Sequence, residues 1–283
     1  MRWQGRRRSS NVEDRRGRSV GGFGGKAIGG GFGLIIIIII ALLGGDPGSI
    51  LGNNQIINQG SQTPYVETAE EKELAEFVSV VLADTEQVWG EIFSEYGYNY
   101  QEPSLVLFTD SVQSACGIAG SSTGPFYCPG DNKLYIDLVF YNELRDRFKA
   151  PGDFAMAYVV AHEVGHHVQT LLGVTDQLNE LRGQVSETEY NKYSVRFELQ
   201  ADYLAGVWAH YAQGMGYLEE GDLEEALAAA NAIGDDRIQK EAQGYVVPDS
   251  FTHGTSEQRM RWFYKGYQSG NLDEWDTFNS KDL

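Results

Sequence analysis

Two histidines one helical turn apart, inside an otherwise apolar segment, constrain the fold of this 283-residue chain more than any other feature. They begin and end the run His162-Glu163-Val164-Gly165-His166, which directly follows the apolar residues 154–161. Positions four apart lie on the same face of an α-helix, so the two imidazoles can converge on one point. Because unpaired imidazoles are costly in a buried helix, the pattern predicts that His162 and His166 share a cation.

Glu163 lies beside the metal-binding face of the same predicted helix. Zinc suits this H-E-x-x-H spacing, because it accepts imidazole ligands and lowers the pKa of a bound water toward neutrality. A carboxylate next to the ligands can then take a proton from the attacking water. The same pattern arises by chance on solvated helix faces, but the apolar context favours a catalytic role for Glu163. His167 lies on another face, and we interpret it as structural.

A third metal ligand is expected from a second helix, because a catalytic zinc site has three protein ligands and one open position. Glu198 and Asp202 are four residues apart and precede the apolar residues 203–208. Buried carboxylates need partners, so we predict that Glu198 binds the metal and that Asp202 holds a ligand imidazole. A solvated acidic face is the alternative. The metzincin pattern is excluded, since it requires Gly at Gln169 and His at Leu172.

Helix and strand patterns occupy separate parts of the chain, which predicts an α+β fold. Thr68-x-x-Glu71 and Ser186-x-x-Glu189 are capping-box patterns that begin two of the helices. Two short apolar runs read as strands. The predicted elements are helices from Thr68 to about Tyr96, Asp153 to Leu172, Ser186 to Gly214, Asp222 to Ile233 and Ser256 to Gln268, with strands at Ser104–Phe108 and Lys133–Leu138.

Cys116 and Cys128 are the only cysteines, and they flank a segment rich in glycine and serine. In an exported domain two such cysteines form a disulfide that closes a small loop. Metal ligation is the alternative, but a third cysteine is lacking and better ligands lie elsewhere in the chain. We therefore predict a disulfide between Cys116 and Cys128.

The amino-terminal part divides into a basic arm, an apolar segment and a polar linker. Residues 1–33 hold eight Arg or Lys residues against two carboxylates, whereas the whole chain has a formal net charge of −18. The acidic body argues against nucleic acid as a partner, because it would repel phosphates. Residues 29–45 contain the unbroken apolar run Leu34–Leu43 and approach the length that crossing a bilayer requires.

This order predicts a cytoplasmic arm at 1–28, a transmembrane anchor at 29–45, a linker at 46–67 and a folded domain at 68–283. Positive flanks stay in the cytoplasm, so a single-pass anchor in the cell membrane would place the domain in the periplasm or outside the cell. A cleaved secretory signal is the alternative, although the arm is long and no Ala-x-Ala pattern follows Leu43.

Four motifs occur together in the chain: the H-E-x-x-H helix, the later E-x-x-x-D helix, Gly-Pro-Phe-Tyr-Cys-Pro at 124–129, and His-Gly-Thr-Ser-Glu-Gln-Arg at 253–259. With the basic arm and the single anchor, they resemble the bacterial family of putative neutral zinc metallopeptidases. The resemblance covers nearly the whole chain. It implies a gluzincin-like zincin fold and an edge strand that pairs with extended substrate, which we expect to be Lys133–Leu138.

The same resemblance implies zinc bound by His162, His166 and Glu198, with Glu163 as catalytic base. His253 is a further catalytic candidate, since a hydrogen-bond donor opposite the metal stabilises the oxyanion of a tetrahedral intermediate. A histidine at a helix start with no catalytic duty is the alternative. Arg259 and the aromatic residues after it are interpreted as docking the last helix onto the acidic body.

The leading functional hypothesis is a membrane-tethered, exported endopeptidase that acts on peptide or protein substrates. The alternative is a membrane-anchored binding or assembly factor with a structural zinc site. Glu163 favours the enzyme, because a structural zinc site needs no carboxylate beside its ligands. Hydrolysis of a non-peptide amide in the cell envelope would use the same mechanism.

Overall fold

The computed structural model describes residues 1–18 and 65–283, which form six strands and eight α-helices in the predicted α+β arrangement. The strands are β1 (Val12–Asp14), β2 (Ser104–Phe108), β3 (Ser111–Ser114), β4 (Gly117–Gly120), β5 (Phe126–Cys128) and β6 (Lys133–Asp137). The helices are α1 (Ala69–Glu95), α2 (Val139–Asp146), α3 (Asp153–Leu171), α4 (Val174–Leu181), α5 (Glu187–Gly214), α6 (Asp222–Ala232), α7 (Asp235–Gln243) and α8 (Ser256–Ser269).

The predicted anchor at 29–45 lies outside the described residues, as does most of the predicted linker at 46–67. Among the residues that the structure does describe, no helix combines the length and the apolar character needed to cross a bilayer.

The capping pattern at Thr68 is confirmed in full. The Glu71 amide donates to the Thr68 hydroxyl at 3.1 Å, and the Thr68 amide donates to the Glu71 carboxylate at 2.8 Å. Only half of the second pattern forms: the Glu189 amide donates to the Ser186 hydroxyl at 3.3 Å. The Glu189 carboxylate instead pairs with Lys192 one turn later, at 3.3 Å, so it is engaged away from the helix start.

A four-stranded sheet runs in the order β1-β2-β6-β5, with β1, β2 and β6 parallel and β5 antiparallel to β6. The expectation that Lys133–Leu138 is the edge strand is wrong, because β6 lies between β2 and β5. The edge next to the cleft described below is β5. This strand has only three residues, too few for the sequence pattern to reveal it.

The amino-terminal residues 1–18 pack against the body, although the sequence predicts that the folded part begins at Thr68. β1 pairs with β2, so that Val12 lies opposite Leu105 and Asp14 opposite Leu107. Arg7 pairs with Glu86 at 3.1 Å.

The core surrounds α3, which is buried from Phe154 to Gly165 and contacts α1, α5 and α6. Helix α8 packs closely against α5. A Cβ atom added at Gly206 would lie 2.0 Å from the Phe263 carbonyl oxygen, and one added at Gly266 would lie 2.0 Å from that of Tyr203. The two backbones therefore approach directly, which places the first turn of α8 beside the motif helix.

The predicted disulfide is confirmed: Cys116 and Cys128 are bonded, with their Cα atoms 5.9 Å apart. Cys116 lies in the turn of the two-stranded sheet formed by β3 and β4, and Cys128 ends β5. The bond therefore fixes the edge strand to this hairpin.

Replacing both cysteines, as Cys116→Ala with Cys128→Ala, should lower the free energy of unfolding by about 2–3 kcal/mol, because the closed loop restricts the unfolded chain. Denaturant unfolding measures this. As a control, a reductant should destabilise the natural protein by a similar amount and leave the double variant unchanged. Equal stability of the two proteins without reductant would contradict a stabilising role for the bond.

Candidate metal centre

Helices α3 and α5 come unusually close at Gly165, the third residue after His162. A Cβ atom added there would lie 3.0 Å from the carbonyl oxygen of Ala201 and 3.2 Å from its Cα atom. The small residue inside the H-E-x-x-H motif thus lets the second helix approach. Because Glu198 is one turn before Ala201 on α5, this approach brings its carboxylate to the two imidazoles.

The three predicted ligands converge. The Nε2 atom of His162 lies 3.2 Å from Oε2 of Glu198, and the Nε2 atom of His166 lies 3.5 Å from the same oxygen. The candidate ligand atoms of all three residues are within 4.8 Å of one another. His162 and Glu198 are buried, and His166 is half-buried. One small space between two helices is therefore surrounded by two nitrogens and one carboxylate oxygen.

The second ring nitrogen of each histidine is held by another side chain. Nδ1 of His162 lies 2.9 Å from Oδ1 of Asp202, and Nδ1 of His166 lies 2.8 Å from Oε1 of Gln169. Since both oxygens are acceptors, each Nδ1 atom donates its hydrogen to one of them, and each Nε2 atom faces the space, where a bound metal would take the place of its proton. The Gln169 amide nitrogen donates to the Phe197 carbonyl at 2.7 Å, which fixes the orientation of this amide.

Arg259 has a role that the sequence pattern did not reveal. Its guanidinium donates to both carboxylate oxygens of Asp202, from Nε at 2.8 Å and from Nη2 at 2.9 Å. The hydroxyl of Tyr158, on α3, donates to Oδ1 of Asp202 at 2.5 Å. Arg259 therefore orients the carboxylate that orients His162. Its position is determined by how α8 packs on α5, which sequence spacing does not specify.

The carboxylates of Glu198 and Asp202 favour a positive charge in the space between the two helices. Burial lowers the pKa of His162, but the Asp202 and Glu198 carboxylates together outweigh burial and raise it to about 9. Burial raises the pKa of Asp202, but the positive charges of Arg259 and His162 lower it to about 2. Burial likewise raises the pKa of Glu198, and the charges of His166 and His253 hold it well below its ordinary value. Both carboxylates are therefore ionised around a site that attracts a cation.

The three converging residues form part of the wall of an open cleft with a volume of about 220 Å³. Glu163 also lines this cleft and is 8% exposed. Aromatic side chains form much of the remaining surface, namely those of Phe126, Phe140, Phe148 and Phe197. A ligand in the cleft would thus meet the candidate metal-binding atoms, the Glu163 carboxylate and an apolar wall.

His253 faces the same cleft from the loop before α8. Its backbone amide donates to Oδ2 of Asp235 at 2.6 Å, and its Nδ1 atom lies 3.3 Å from Oδ1 of Asp235. Burial lowers the pKa of His253, but the negative charges of Glu198 and Asp235 outweigh it and raise the pKa above its ordinary value. Asp235 therefore holds the backbone and the Nδ1 side of His253, while the ring lines the cleft.

His167 lies away from the cluster, in agreement with its interpretation as structural. Its Nε2 atom is 2.6 Å from the Gln101 carbonyl oxygen, and its Nδ1 atom is 3.0 Å from the hydroxyl of Tyr127. Burial lowers the pKa of this imidazole. Because Tyr127 is the central residue of β5, His167 connects the motif helix to the edge strand.

Comparison with known proteins places these residues in a wider group. A family model described as "Putative neutral zinc metallopeptidase" matches residues 1–278. The chain is 50% identical over 284 residues to the uncharacterized protein YpfJ of Escherichia coli K12, covering 98% of this chain and 99% of that protein. It is 40% identical over 256 residues to the uncharacterized protein Mb2605 of Mycobacterium bovis, covering 86% of each. The uncharacterized protein Rv2575 of Mycobacterium tuberculosis gives the same values. No solved structure matches the chain.

Gly165→Val should push α5 away from α3, because the new side chain meets the Ala201 backbone. We expect the free energy of unfolding to fall by about 1–3 kcal/mol and zinc affinity to fall as Glu198 withdraws. Denaturant unfolding and a competitive zinc titration measure the two effects. Gly90→Val on α1 is the matched control, since an added Cβ atom there meets nothing within 4 Å. Equal zinc affinity in the two variants would contradict the proposed close approach.

Asp202→Asn should weaken zinc binding by about 10–100-fold, because His162 loses a charged hydrogen-bond acceptor. Asp235→Asn is the matched control: it removes the same charge next to His253, which is not a predicted ligand. Zinc titration of both variants tests this. If both variants lost affinity equally, net charge and not the orientation of His162 would explain the effect.

Proposed function

The chain belongs to the "Putative neutral zinc metallopeptidase" family, and from this premise we propose that it hydrolyses peptide bonds with zinc held by His162, His166 and Glu198. The observation that carries the proposal is the convergence of these three residues in the wall of an open cleft that Glu163 also lines. We further propose that the fold is zincin-like and that the site is of the gluzincin-like type, in which the third ligand is a glutamate.

The donor set fits zinc. Zinc accepts both imidazole nitrogens and carboxylate oxygens as ligands, and three protein ligands leave one position for water or substrate. The orienting contacts of Asp202 and Gln169 are those that ligand histidines need. Zinc bound here would act as a Lewis acid that lowers the pKa of water to about 7 and polarises a substrate carbonyl.

Glu163 is the proposed general base. Its carboxylate follows His162 directly on α3 and lines the cleft, so it can reach a water that attacks from the open side. The carboxylate accepts a proton from that water on one of its Oε atoms. It can then return the proton to the leaving amine, because the same group serves both steps in turn.

His253 is the proposed donor to the oxyanion. The raised pKa favours the protonated imidazole, and Asp235 holds Nδ1 so that Nε2–H is available in the cleft. A positively charged donor stabilises the negative oxygen that develops when the carbonyl is attacked.

Strand β5 offers a binding edge for an extended peptide. In the part of the chain that the structure describes, β5 has a strand neighbour on one side only, which is β6. A substrate segment could add to the free side through backbone hydrogen bonds, as peptides do at exposed sheet edges. Phe126 of β5 and Phe197 line the cleft, so we propose that a large apolar substrate side chain enters beside the scissile bond.

The alternative, a binding factor with structural zinc, is less consistent with the geometry. Structural zinc sites are closed by four protein ligands, whereas three residues converge here and the fourth direction opens onto a cleft. Membrane attachment through residues 29–45 and export of the domain stay predictions from the sequence. The Cys116–Cys128 disulfide supports export, because such bonds persist in oxidising compartments.

Glu163→Gln should retain about one zinc per chain, as a three-ligand site requires, but should lower the rate of proteolysis by about 10²–10⁴-fold. Elemental analysis gives the zinc content, and cleavage of a denatured protein mixture gives the rate. Glu187→Gln, at an exposed position in the first turn of α5, is the control and should match the parent. A Glu163→Gln variant that cleaves as fast as the parent would refute the assignment.

A further inference from the structure

We propose that the docked arm, residues 1–18, is a permanent part of the folded domain and lies on the same side of any membrane as the metal centre. The proposal concerns the placement of the chain and does not depend on the proposed hydrolysis. It differs from the arrangement predicted from sequence, in which a single crossing separates a cytoplasmic arm from an exported domain.

The docked arm is joined to the domain through its backbone. The Leu105 amide donates to the Asn11 carbonyl at 2.8 Å, and the Arg15 amide donates to the Leu107 carbonyl at 2.8 Å. The Ser9 amide donates to the Ser79 carbonyl of α1 at 2.9 Å. Among the strands of residues 1–18 and 65–283, β1 is therefore the outer strand of the parallel part of the sheet, not an isolated extended segment.

Side chains of the docked arm are also part of the core. Met1 is 5% exposed. Trp3 packs edge-on against Phe77 of α1, with their ring centroids 5.6 Å apart. The guanidinium of Arg6 lies 3.1 Å from the centre of the Tyr217 ring. These contacts resemble a domain interior, in which apolar and aromatic groups exclude water.

The positive charges of the docked arm have partners on the acidic domain. Arg7 pairs with Glu86 at 3.1 Å, Arg8 with Glu76 at 3.0 Å, and Arg16 with Glu67 at 2.7 Å. Arg6 pairs with Asp84. The charge pattern that predicts membrane orientation is thus complementary to a surface of the same chain.

The described residues on either side of the segment 19–64 are in contact with each other. A Cβ atom added at Gly17 would lie 2.2 Å from the Cβ atom of Tyr65, and Arg16 pairs with Glu67 two residues beyond Tyr65. A chain that crosses a bilayer once emerges about 30 Å away on the opposite side, which is incompatible with this contact. A second crossing would need another apolar stretch of about 20 residues, and 19–64 contains only the run Leu34–Leu43. Residues 1–18 and 65–283 therefore lie on the same side of any membrane.

Site-specific labelling of the full chain in cells tests the proposal. Ser10→Cys in the docked arm and Ser94→Cys at the end of α1 are conservative changes at exposed positions. A membrane-impermeant maleimide is applied to intact cells and to lysed cells, and the labelled peptide is identified by mass spectrometry. The parent chain provides the background from the native cysteines. We expect the two positions to behave alike, both labelled in intact cells or both only after lysis. Labelling of one position in intact cells and of the other only after lysis would overturn the proposal.

Hydrogen exchange of the purified full chain tests the docking itself. The Arg15 amide, which is bonded to Leu107, should exchange at least about 100-fold more slowly than in an unstructured peptide, because it is part of a sheet. Arg18 is the internal reference: within the described residues its amide donates inside a turn, to the Arg15 carbonyl at 3.2 Å, and not to the sheet. Exchange of the Arg15 amide at the unstructured rate would show that the arm is not held by the domain.

Discussion

The contact between α3 and α5 at Gly165 determines whether the candidate site exists. His162 and His166 are on one helix and Glu198 is on the other, so the distance between the helices sets the distance between the ligand atoms. Gly165 has no side chain to separate the helices, and the Ala201 backbone lies directly against it. The motif is usually described by its histidines and its glutamate. In this protein Gly165 sets the distance between α3 and α5, and it thereby allows the third candidate ligand, Glu198, to come from a separate helix.

Around this contact, polar side chains from three helices form a buried hydrogen-bonded network in which the charges of Asp202 and Arg259 are paired with each other. Asp202 of α5 accepts hydrogen bonds from Tyr158 and His162 of α3 and from Arg259 of α8. A buried network of this kind stabilises the fold only when every polar group in it has a hydrogen-bond partner, since a buried charge without a partner is costly. The network therefore couples the packing of α8 to the orientation of a ligand. The candidate site is a property of the helical core, whereas the sheet contributes part of the cleft wall through Phe126 and Tyr127.

The parts of this structure that were predictable are those encoded locally. Helical periodicity and caps predicted the five long helices, and four-residue spacing placed His162 with His166 on one helix face and Glu198 with Asp202 on another. That the two faces meet was predicted from the need for a third ligand. Helices α2, α4 and α7 and strands β1, β3, β4 and β5 are short, so periodicity could not distinguish them from loops. Arg259 and Gln169 were missed as orienting residues because their partners are set by tertiary packing. The basic arm was interpreted as a cytoplasmic flank from its charge and from the apolar run that follows it. Neither feature reveals that carboxylates of the same chain pair with its arginines.

The docking of β1 has a practical consequence for the sheet. If the chain were shortened to begin after residue 45, β2 would lose its outer neighbour, and the backbone groups of Leu105 and Leu107 that now bond to the arm would be exposed. A bare, apolar strand edge is a template for pairing with other molecules, so such a fragment would be prone to aggregate. Insolubility of a trimmed protein would then reflect the missing strand and would say nothing about the residues around the metal centre.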